Sequence, residues 1–397
     1  MSPGFVPGNR LTLLQGSDNY FPALLSAIAL ADREIYLETY IFSDDAVGHA
    51  VADALAAAAR RGVQVNLTVD GFGGRNFPST FRNRLDAAGV RCLLYRPEIG
   101  TFHLRRHRLR RLHRKLVVVD ACIAFVGGIN IADDLGAGKG QPHLDYAVRV
   151  DGPLVSDILQ AMRRMWEIVA WANLKRRFRS PPLAQANIRP VGEQSAAFVI
   201  RDNIRHRNAI LHAYIAAINA AKDEILLANA YFFPGVRFGR ALYAAARRGV
   251  RISILLQGKT DHPLLRYATQ ALYSASIQAG IRIFEYEHSL MHAKVAVIDG
   301  HWATIGSSNI DPFSLLLAKE ANIVVQDATL AKELHASLHD ALRNGALEIS
   351  PTALTRQPWP SRLLRWLSYG AVRALLGLAG YSRRHWQASD DAPSKAP

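Results

Sequence analysis

The sequence predicts an α/β fold of two similar lobes, each a sheet flanked by helices, joined as an internal pseudo-dimer with one active site between them. Two observations carry this. His-x-Lys, four residues, Asp, six residues and Gly-Gly-x-Asn occupy His113, Lys115, Asp120, Gly127, Gly128 and Asn130. The same spacing returns at His292, Lys294, Asp299, Gly306, Ser307 and Asn309. Around both copies the chain repeats itself in order: SAIALADREIYLETYIF (26–42) is echoed by AAINAAKDEILLANAYFF (216–233), ARRGV (59–63) returns at 246–250, and AAGVRCLLY (87–95) is answered by QAGIRIFEY (278–286). A period of roughly 180 residues indicates a duplication rather than a solenoid. Strands alternating with helices give the α/β class.

In chain order, residues 16–31 place Tyr20, Leu24, Leu25, Ile28 and Ala31 on one helical face, with Asp18 as the N-cap. EIYLETYIF (34–42) is rich in β-formers and predicts a strand. A helix over Val47–Ala59 ends at Arg60-Arg61-Gly62, where a helix favours cations and glycine. VQVNLTVD (63–70) alternates as a strand, 78–88 is helical, and Val90–Tyr95 is the strand before the first motif. A long helix over Pro153–Asn173 closes the first lobe, and a helix over 204–221 begins the same order again. The expected divisions are a first lobe at 10–174, a linker at 175–190, a second lobe at 191–350 and a tail at 351–397. The halves differ before the motif: Gly89 to His113 is 24 residues, Gly280 to His292 is 12. The longer segment includes HLRRHRLRRLHR (103–114), with six arginines.

The 397 residues carry a net charge of +15, which predicts an anionic partner, either nucleic acid or an anionic membrane surface. Cys92 and Cys122 form no CxxC, so neither a disulfide framework nor a zinc site is expected from them. No apolar signal region and no uncharged apolar run of about 18 residues is evident. Membrane contact is therefore expected to be peripheral.

Alternation along HRKLVVVD puts His113 and Lys115 on one face and Asp120 on the other. A two-fold brings matching residues together at its axis, so the two His-Lys pairs are expected to converge. The catalytic candidates are His113, Lys115, Asp120, His292, Lys294 and Asp299. Strand parity makes the two aspartates turn-holding residues above all, and Asp299-Gly300 is a hairpin signal. Two histidines, two lysines and the asparagines Asn130 and Asn309, with Ser307, make a cationic pocket suited to a phosphate. Positioned cations lower the barrier to phosphoryl transfer. One histidine can attack phosphorus while the other serves as general acid. Asp145 is expected to orient His113, and Glu320 to orient His292. Lysines in the pocket oppose a metal ion, so no metal and no cofactor is expected. His103, His107, His143, His288 and His301 have no counterpart in the other repeat and read as surface residues. Trp302, Phe313 and Leu315–Leu317 are candidates for an apolar mouth or for plain core.

The tail, 359–386, contains Trp359, Trp366, Trp386, Tyr369, Tyr381 and five arginines without an acid. This is the pattern of an amphipathic segment lying in a membrane surface. The alternative is a terminal helix docked on its own core.

The duplicated motif resembles that of the phospholipase D superfamily. EIYLETYIFSDDAVG (34–48), ARRGVQVNLTVDGFG (59–73) and IGSSNIDPFSLLLAKEANIVV (305–325) are most similar to bacterial cardiolipin synthases of the B type, over roughly residues 10–350. The resemblance implies a phosphohistidine on His113, with His292 as acid and then base, and Lys115, Lys294, Asn130 and Asn309 around the phosphate. It implies transfer of a phosphatidyl group from one phosphatidylglycerol to a second, giving cardiolipin and glycerol. It also implies a place at the cytoplasmic side of the bacterial inner membrane, without nucleic acid, with room for a small partner protein. The sequence leaves the oligomeric state open, and the internal pseudo-dimer removes the need for a second chain, which favours a monomer. A hydrolytic phospholipase D or a nuclease would use the same residues, and the basic 103–114 segment suits either. A catalytically silent membrane-binding scaffold is disfavoured by two intact motifs.

Overall fold

The computed structural model describes residues 4–97, 110–134, 141–175, 178, 189–202, 205–259, 263–352 and 359–378. The first repeat runs β1 (Val6–Gln15), α1 (Gly16–Ala29), β2 (Glu34–Thr39), α2 (Ala46–Arg60), β3 (Gln64–Asp70), a π-helical turn at Pro78–Arg82, α3 (Asn83–Ala87), β4 (Arg91–Tyr95), β5 (Lys115–Val119), β6 (Ile123–Gly127), β7 (Tyr146–Asp151) and α4 (Val155–Ala172). The second runs β8 (Gln194–Arg201), α5 (Ala209–Ala220), β9 (Glu224–Asn229), α6 (Val236–Arg247), β10 (Arg251–Gln257), α7 (Pro263–Gln270), α8 (Tyr273–Gln278), β11 (Arg282–Tyr286), β12 (Lys294–Ile298), β13 (Trp302–Gly306), α9 (Pro312–Leu316), β14 (Glu320–Gln326), α10 (Ala328–Gly345) and β15 (Ala346–Glu348). A terminal helix, α11, spans Trp359–Leu378.

One mixed sheet holds all of these strands, in the order β15-β11-β10-β9-β12-β13-β14-β8-β1-β7-β6-β5-β2-β3-β4. Read outward from the central β1–β8 pair, both halves follow the same path, which is the duplication made visible. β2, β3 and β4 are parallel to one another, as are β9, β10 and β11. The motif strands β5 and β12 join antiparallel to β2 and β9. One sheet face carries a core that crosses both halves beneath α4 and α10. The other face carries a separate core in each half, under α1–α3 and under α5, α6 and α8.

Local chemistry explains several repeated words. Arg61 and Arg248, from the two ARRGV segments, donate to carbonyls at the ends of α1 (Ile28) and α5 (Ile218, Ala221), where cations belong. Asp45 caps α2, accepting from the Gly48 amide at 2.8 Å. Asp18 does not cap α1: it lies in the first turn, and Gln15 occupies the cap position without a side-chain bond.

The motif aspartates sit at the far ends of their strands. Asp120 accepts from the amides of Asp32, Arg33 and Glu34 at 2.8–2.9 Å. Asp299 accepts from Lys222, Asp223 and Glu224, each at 2.9 Å. Five residues of strand, about 16 Å, separate each from its motif lysine. Both take positive φ, +52° and +51°, at the hairpins β5–β6 and β12–β13. Their inclusion among catalytic candidates is thus corrected in favour of the turn-holding reading. These amide bonds hold the Asp299 carboxyl below its usual range despite the opposing effect of burial. Its stabilisation is therefore complete above about pH 4 and is lost as the pH falls through the folded-state value. Asp299→Ala is expected to cost about 1–2 kcal/mol, tempered by solvent exposure, with KM unchanged. Thermal unfolding at pH 7 and at pH 3 checks this, since the difference should shrink in acid.

Candidate active site

The pocket forms where the site ends of β5 and β12 face each other across the central seam. Two short backbone bridges build it. His113 N–H donates to the Lys319 carbonyl at 3.0 Å, and Lys319 N–H donates to the Arg111 carbonyl at 2.8 Å. In the mirror arrangement His292 N–H donates to the Leu144 carbonyl, and Leu144 N–H to the Leu290 carbonyl, both at 2.9 Å. Each motif histidine is therefore laid beside the residue preceding the other repeat's carboxylate.

This crosses the expected pairing. His113 Nδ1 lies 3.0 and 3.1 Å from the two Glu320 oxygens. His292 Nδ1 lies 2.7 Å from Asp145 Oδ2. Asp145 orients His292 and Glu320 orients His113, the reverse of the sequence-based assignment. Order along the chain suggested partners within a repeat, whereas the inter-lobe bridges set partners between repeats. With Nδ1 engaged, Nε2 of each ring is the nitrogen left for chemistry.

Ser307 also changes role. Its hydroxyl donates to Glu320 Oε2 at 2.5 Å, and its oxygen accepts from the Ala321 amide. It braces the carboxylate rather than lining a phosphate site. Gly128 occupies the same motif position in the first repeat. A Cβ there would lie 2.2 Å from Asp145 Oδ1, so only glycine admits that carboxylate. The asparagines are fixed through their oxygens: Asn130 Oδ1 accepts from Ile41 N–H at 3.3 Å and Asn309 Oδ1 from Tyr231 N–H at 3.4 Å.

Lys115 Nζ donates to the His113 carbonyl at 2.8 Å, and Lys294 Nζ to the His292 carbonyl. Both are buried. Burial brings Lys115 down to about 7 and Lys294 to about 8, against the pull of Glu320 and Asp145. Burial and Lys294 take His292 to about 4, and burial lowers His113 although Glu320 opposes it. Burial would raise both carboxylates, but the lysine and histidine charges hold Asp145 and Glu320 below their usual values. These groups feel one another across the seam, so their titrations belong to the set.

Supporting residues escaped the sequence reading. Asp70 accepts from the Leu112 amide at 2.8 Å, and Gln257 takes the same position before His292, accepting from Met291 N–H. The signal was available, since both close the strand after a repeated ARRGV. Arg114 makes a buried ion pair with Glu38 at 2.6–2.9 Å. Ala293 and Ala228 replace that pair in the second repeat, so it distinguishes the two histidines' surroundings. Tyr40 lies 4.9 Å from the His113 ring.

Other expectations resolve as follows. Trp302 is core: it packs edge-on against Tyr214 at 5.9 Å, at the opposite end of β13 from Gly306. Leu317 is buried and Leu315 packs against the second-lobe core, so the described leucines of DPFSLLL are core rather than mouth. His288 and His301 are exposed, and His143 is half-buried 3.6 Å from Asp134. His103, His107 and Arg105–Arg108 lie outside the described residues, as does most of the 175–190 segment.

The tail docks on the second lobe, the alternative to the membrane-surface reading. Tyr369 packs on Phe233 with ring centroids 5.4 Å apart and planes tilted by 44°, and Val372 is buried against Phe233 and Ala268, docking α11 on α7. Phe233 N–H in turn donates to the Ile310 carbonyl, next to Asn309. The opposite face of α11 leaves Trp359, Leu363, Trp366 and Leu367 between 49% and 73% exposed. Trp386 and Tyr381 lie outside the described residues. No described helix is long and apolar enough to cross a membrane.

A family model described as cardiolipin synthase, phospholipase D-like domain, matches residues 24–166 and 214–341. Cardiolipin synthase B of Escherichia coli K12 is 39% identical over 379 residues, covering 95% of this chain and 91% of that protein. Cardiolipin synthase A of Klebsiella pneumoniae strain 342 is 32% identical, covering 92% and 76%. Among solved structures, phosphatidylserine synthase of Haemophilus influenzae Rd KW20 aligns with a TM-score of 0.69 at 12% identity, covering 92% of this chain and 94% of that one. That likeness bears on the fold.

Proposed function

Since the chain belongs to the phospholipase D-like cardiolipin synthase family, we propose that it is a phosphatidyltransferase that makes cardiolipin and glycerol from two phosphatidylglycerols. The observation that carries the mechanism is the pair of crossed histidine–carboxylate contacts opening on one cationic pocket. Lys115, Lys294, Asn130 and Asn309 surround the donor's phosphodiester and neutralise the charge that grows on its non-bridging oxygens. His113 is neutral, with its proton held on Nδ1 by Glu320, so Nε2 offers a lone pair to phosphorus. The phosphorus–oxygen bond to glycerol breaks, and that oxygen takes a proton from Nε2 of His292. His292 is poorly basic in the empty pocket, but the anionic substrate raises its proton affinity. Asp145 then stabilises the imidazolium. In the second half, His292 Nε2 removes the proton from the acceptor hydroxyl, whose oxygen attacks phosphorus and frees His113.

The enzyme works on phospholipid at a bacterial membrane, and we assign it to the cytoplasmic face of the inner membrane. The exposed aromatic and leucine side of α11, fixed beside the Asn309 loop, sets the pocket against the lipid surface. Trp359→Ser with Trp366→Ser is expected to weaken binding to phosphatidylglycerol vesicles by about tenfold. Turnover of a soluble phosphodiester should not change. Sedimentation with vesicles reads the first and a colorimetric assay the second.

Product analysis tests the whole reading. Purified protein with phosphatidylglycerol vesicles should yield equimolar cardiolipin and glycerol, and neither product in His113→Ala or His292→Ala. Phosphatidic acid as the main product would replace the transferase by a hydrolase. Cleavage of added DNA without lipid turnover would overturn the lipid substrate altogether.

A further inference from the structure

On the side of the sheet remote from the pocket, three side chains of metal-binding type converge. Glu224, His335 and His339 place their ligand atoms within 4.8 Å of one another, all partly open to solvent. His335 and His339 are one helical turn apart on α10, with ring centroids at 4.4 Å. His335 Nε2 lies 2.7 Å from Glu224 Oε2. Glu224 is the first residue of β9, and its backbone is fixed by the Asp299 carboxylate.

The duplication shows what this cluster replaces. Glu34 opens β2 as Glu224 opens β9, and it is buried against Arg163 of α4 at 2.6–2.8 Å. Setting the buried Ile158, Leu159, Met162 and Trp166 of α4 on Leu330, Ala331, Leu334 and Leu338 of α10 brings Arg163 opposite His335. In the first lobe a guanidinium carrying a fixed charge staples the helix to the glutamate. In the second lobe that cation is gone, and two imidazoles stand in its place. Arg251 offers Glu224 only a loose contact at 3.9 Å from a mostly exposed side chain, and Arg343 lies near His339.

We propose that Glu224, His335 and His339 bind a divalent transition-metal ion of the zinc class, with water in the open position. Two imidazoles at i and i+4 with one carboxylate are a borderline-soft donor set. Zinc would separate its ligand atoms by about 3.3–3.5 Å, given metal–ligand distances near 2.0–2.2 Å. The short Glu224–His335 contact opens slightly and His339 closes in. The ion then does for α10 and β9 what Arg163 does for α4 and β2.

The test uses the full-length, metal-stripped protein titrated with zinc chloride by calorimetry. His113→Ala/His292→Ala removes the other histidine pair as a control. One equivalent should bind to the wild type and to that control, and at least tenfold more weakly to His335→Asn/His339→Gln. Saturating zinc should raise the wild-type unfolding midpoint by about 2–4 °C and leave the His335→Asn/His339→Gln midpoint unmoved. If that double variant fails to fold, His339→Gln alone, which keeps the His335–Glu224 contact, should show the tenfold loss. No binding to the wild type would overturn the proposal. So would zinc retained in full by the α10 variants, or lost in the pocket control.

Discussion

With an aryl phosphodiester whose leaving group needs no proton, Asp145→Asn is expected to release one equivalent of phenolate and then stall, whereas Glu320→Gln should release none. The expectation follows from the crossed contacts. Asp145 serves His292, proposed as the acid and base. Losing it spares attack on an activated ester but leaves His292 without the carboxylate that supports it as the base of the second half. Glu320 serves His113, proposed as the nucleophile. Losing it frees the ring to turn and takes away the partner that favours the correct tautomer. Each substitution should lower steady-state turnover of phosphatidylglycerol by about 10³–10⁴-fold, the scale found when a buried orienting carboxylate becomes an amide. His292→Ala should copy the burst of Asp145→Asn, and His113→Ala the silence of Glu320→Gln. An Asp145→Asn enzyme that behaved like His113→Ala would show the pairing to be uncrossed in solution. Rapid-quench measurement with circular dichroism of each variant is sufficient.

The second large effect is on the alkaline side of the pH profile. Lys115 and Lys294 are charged below about 7 and about 8 respectively in the empty pocket. Raising the pH past those values discharges them and removes the cations that the phosphodiester needs. The kcat/KM for phosphatidylglycerol should therefore fall from neutral pH upward, by up to about tenfold per pH unit for each lysine. On the acid side His113 stays neutral to below its ordinary value, so its own protonation should not limit kcat/KM until the solution is mildly acidic. Lys294→Met should lower kcat/KM by about 10²–10³-fold at pH 7 and make the alkaline limb shallower. Stability should move the opposite way. The unfolded lysines bind protons up to about pH 10.4, the folded ones release them sooner, and folding strengthens as the pH rises between those limits. A rising unfolding midpoint over the range in which kcat/KM declines would mark both lysines as held in a strained, functional charge state.

The sequence spoke most clearly where periodicity and repetition coincide. Two copies of one motif imply a pseudo-two-fold, and a two-fold implies convergence, so a shared pocket of histidines and lysines could be expected before any coordinates. Strand parity likewise separated Asp120 from His113. What it could not supply was the partner across the seam. Asp145 and Glu320 are equivalent by repeat, so order along the chain points to partners within a repeat, and only the inter-lobe contacts reverse it. That choice is made by four backbone hydrogen bonds between residues far apart in the chain. Ser307 was misread for a similar reason, because a hydroxyl next to a phosphate motif looks like a ligand until its carboxylate neighbour is visible. Asp70 and Gln257 were hidden by their dissimilarity: one is an acid and the other an amide, yet both accept from the amide just before a motif histidine.

The crossing has a consequence for how such a chain can be divided. Because each repeat supplies the carboxylate beside the other's histidine, the proposed mechanism requires both repeats for either half-reaction. Severed within 175–190 and produced separately, the two pieces should each be inert, and mixing should restore turnover by complementation. A repeat bearing an intact histidine but a lost carboxylate should be rescued by a partner with the opposite lesion only when two chains exchange lobes. One polypeptide holding both copies also lets them differ where a pair of identical chains could not: Gly128 sits beside a short acid, Ser307 beside a long one, and the arginine staple belongs to the first lobe.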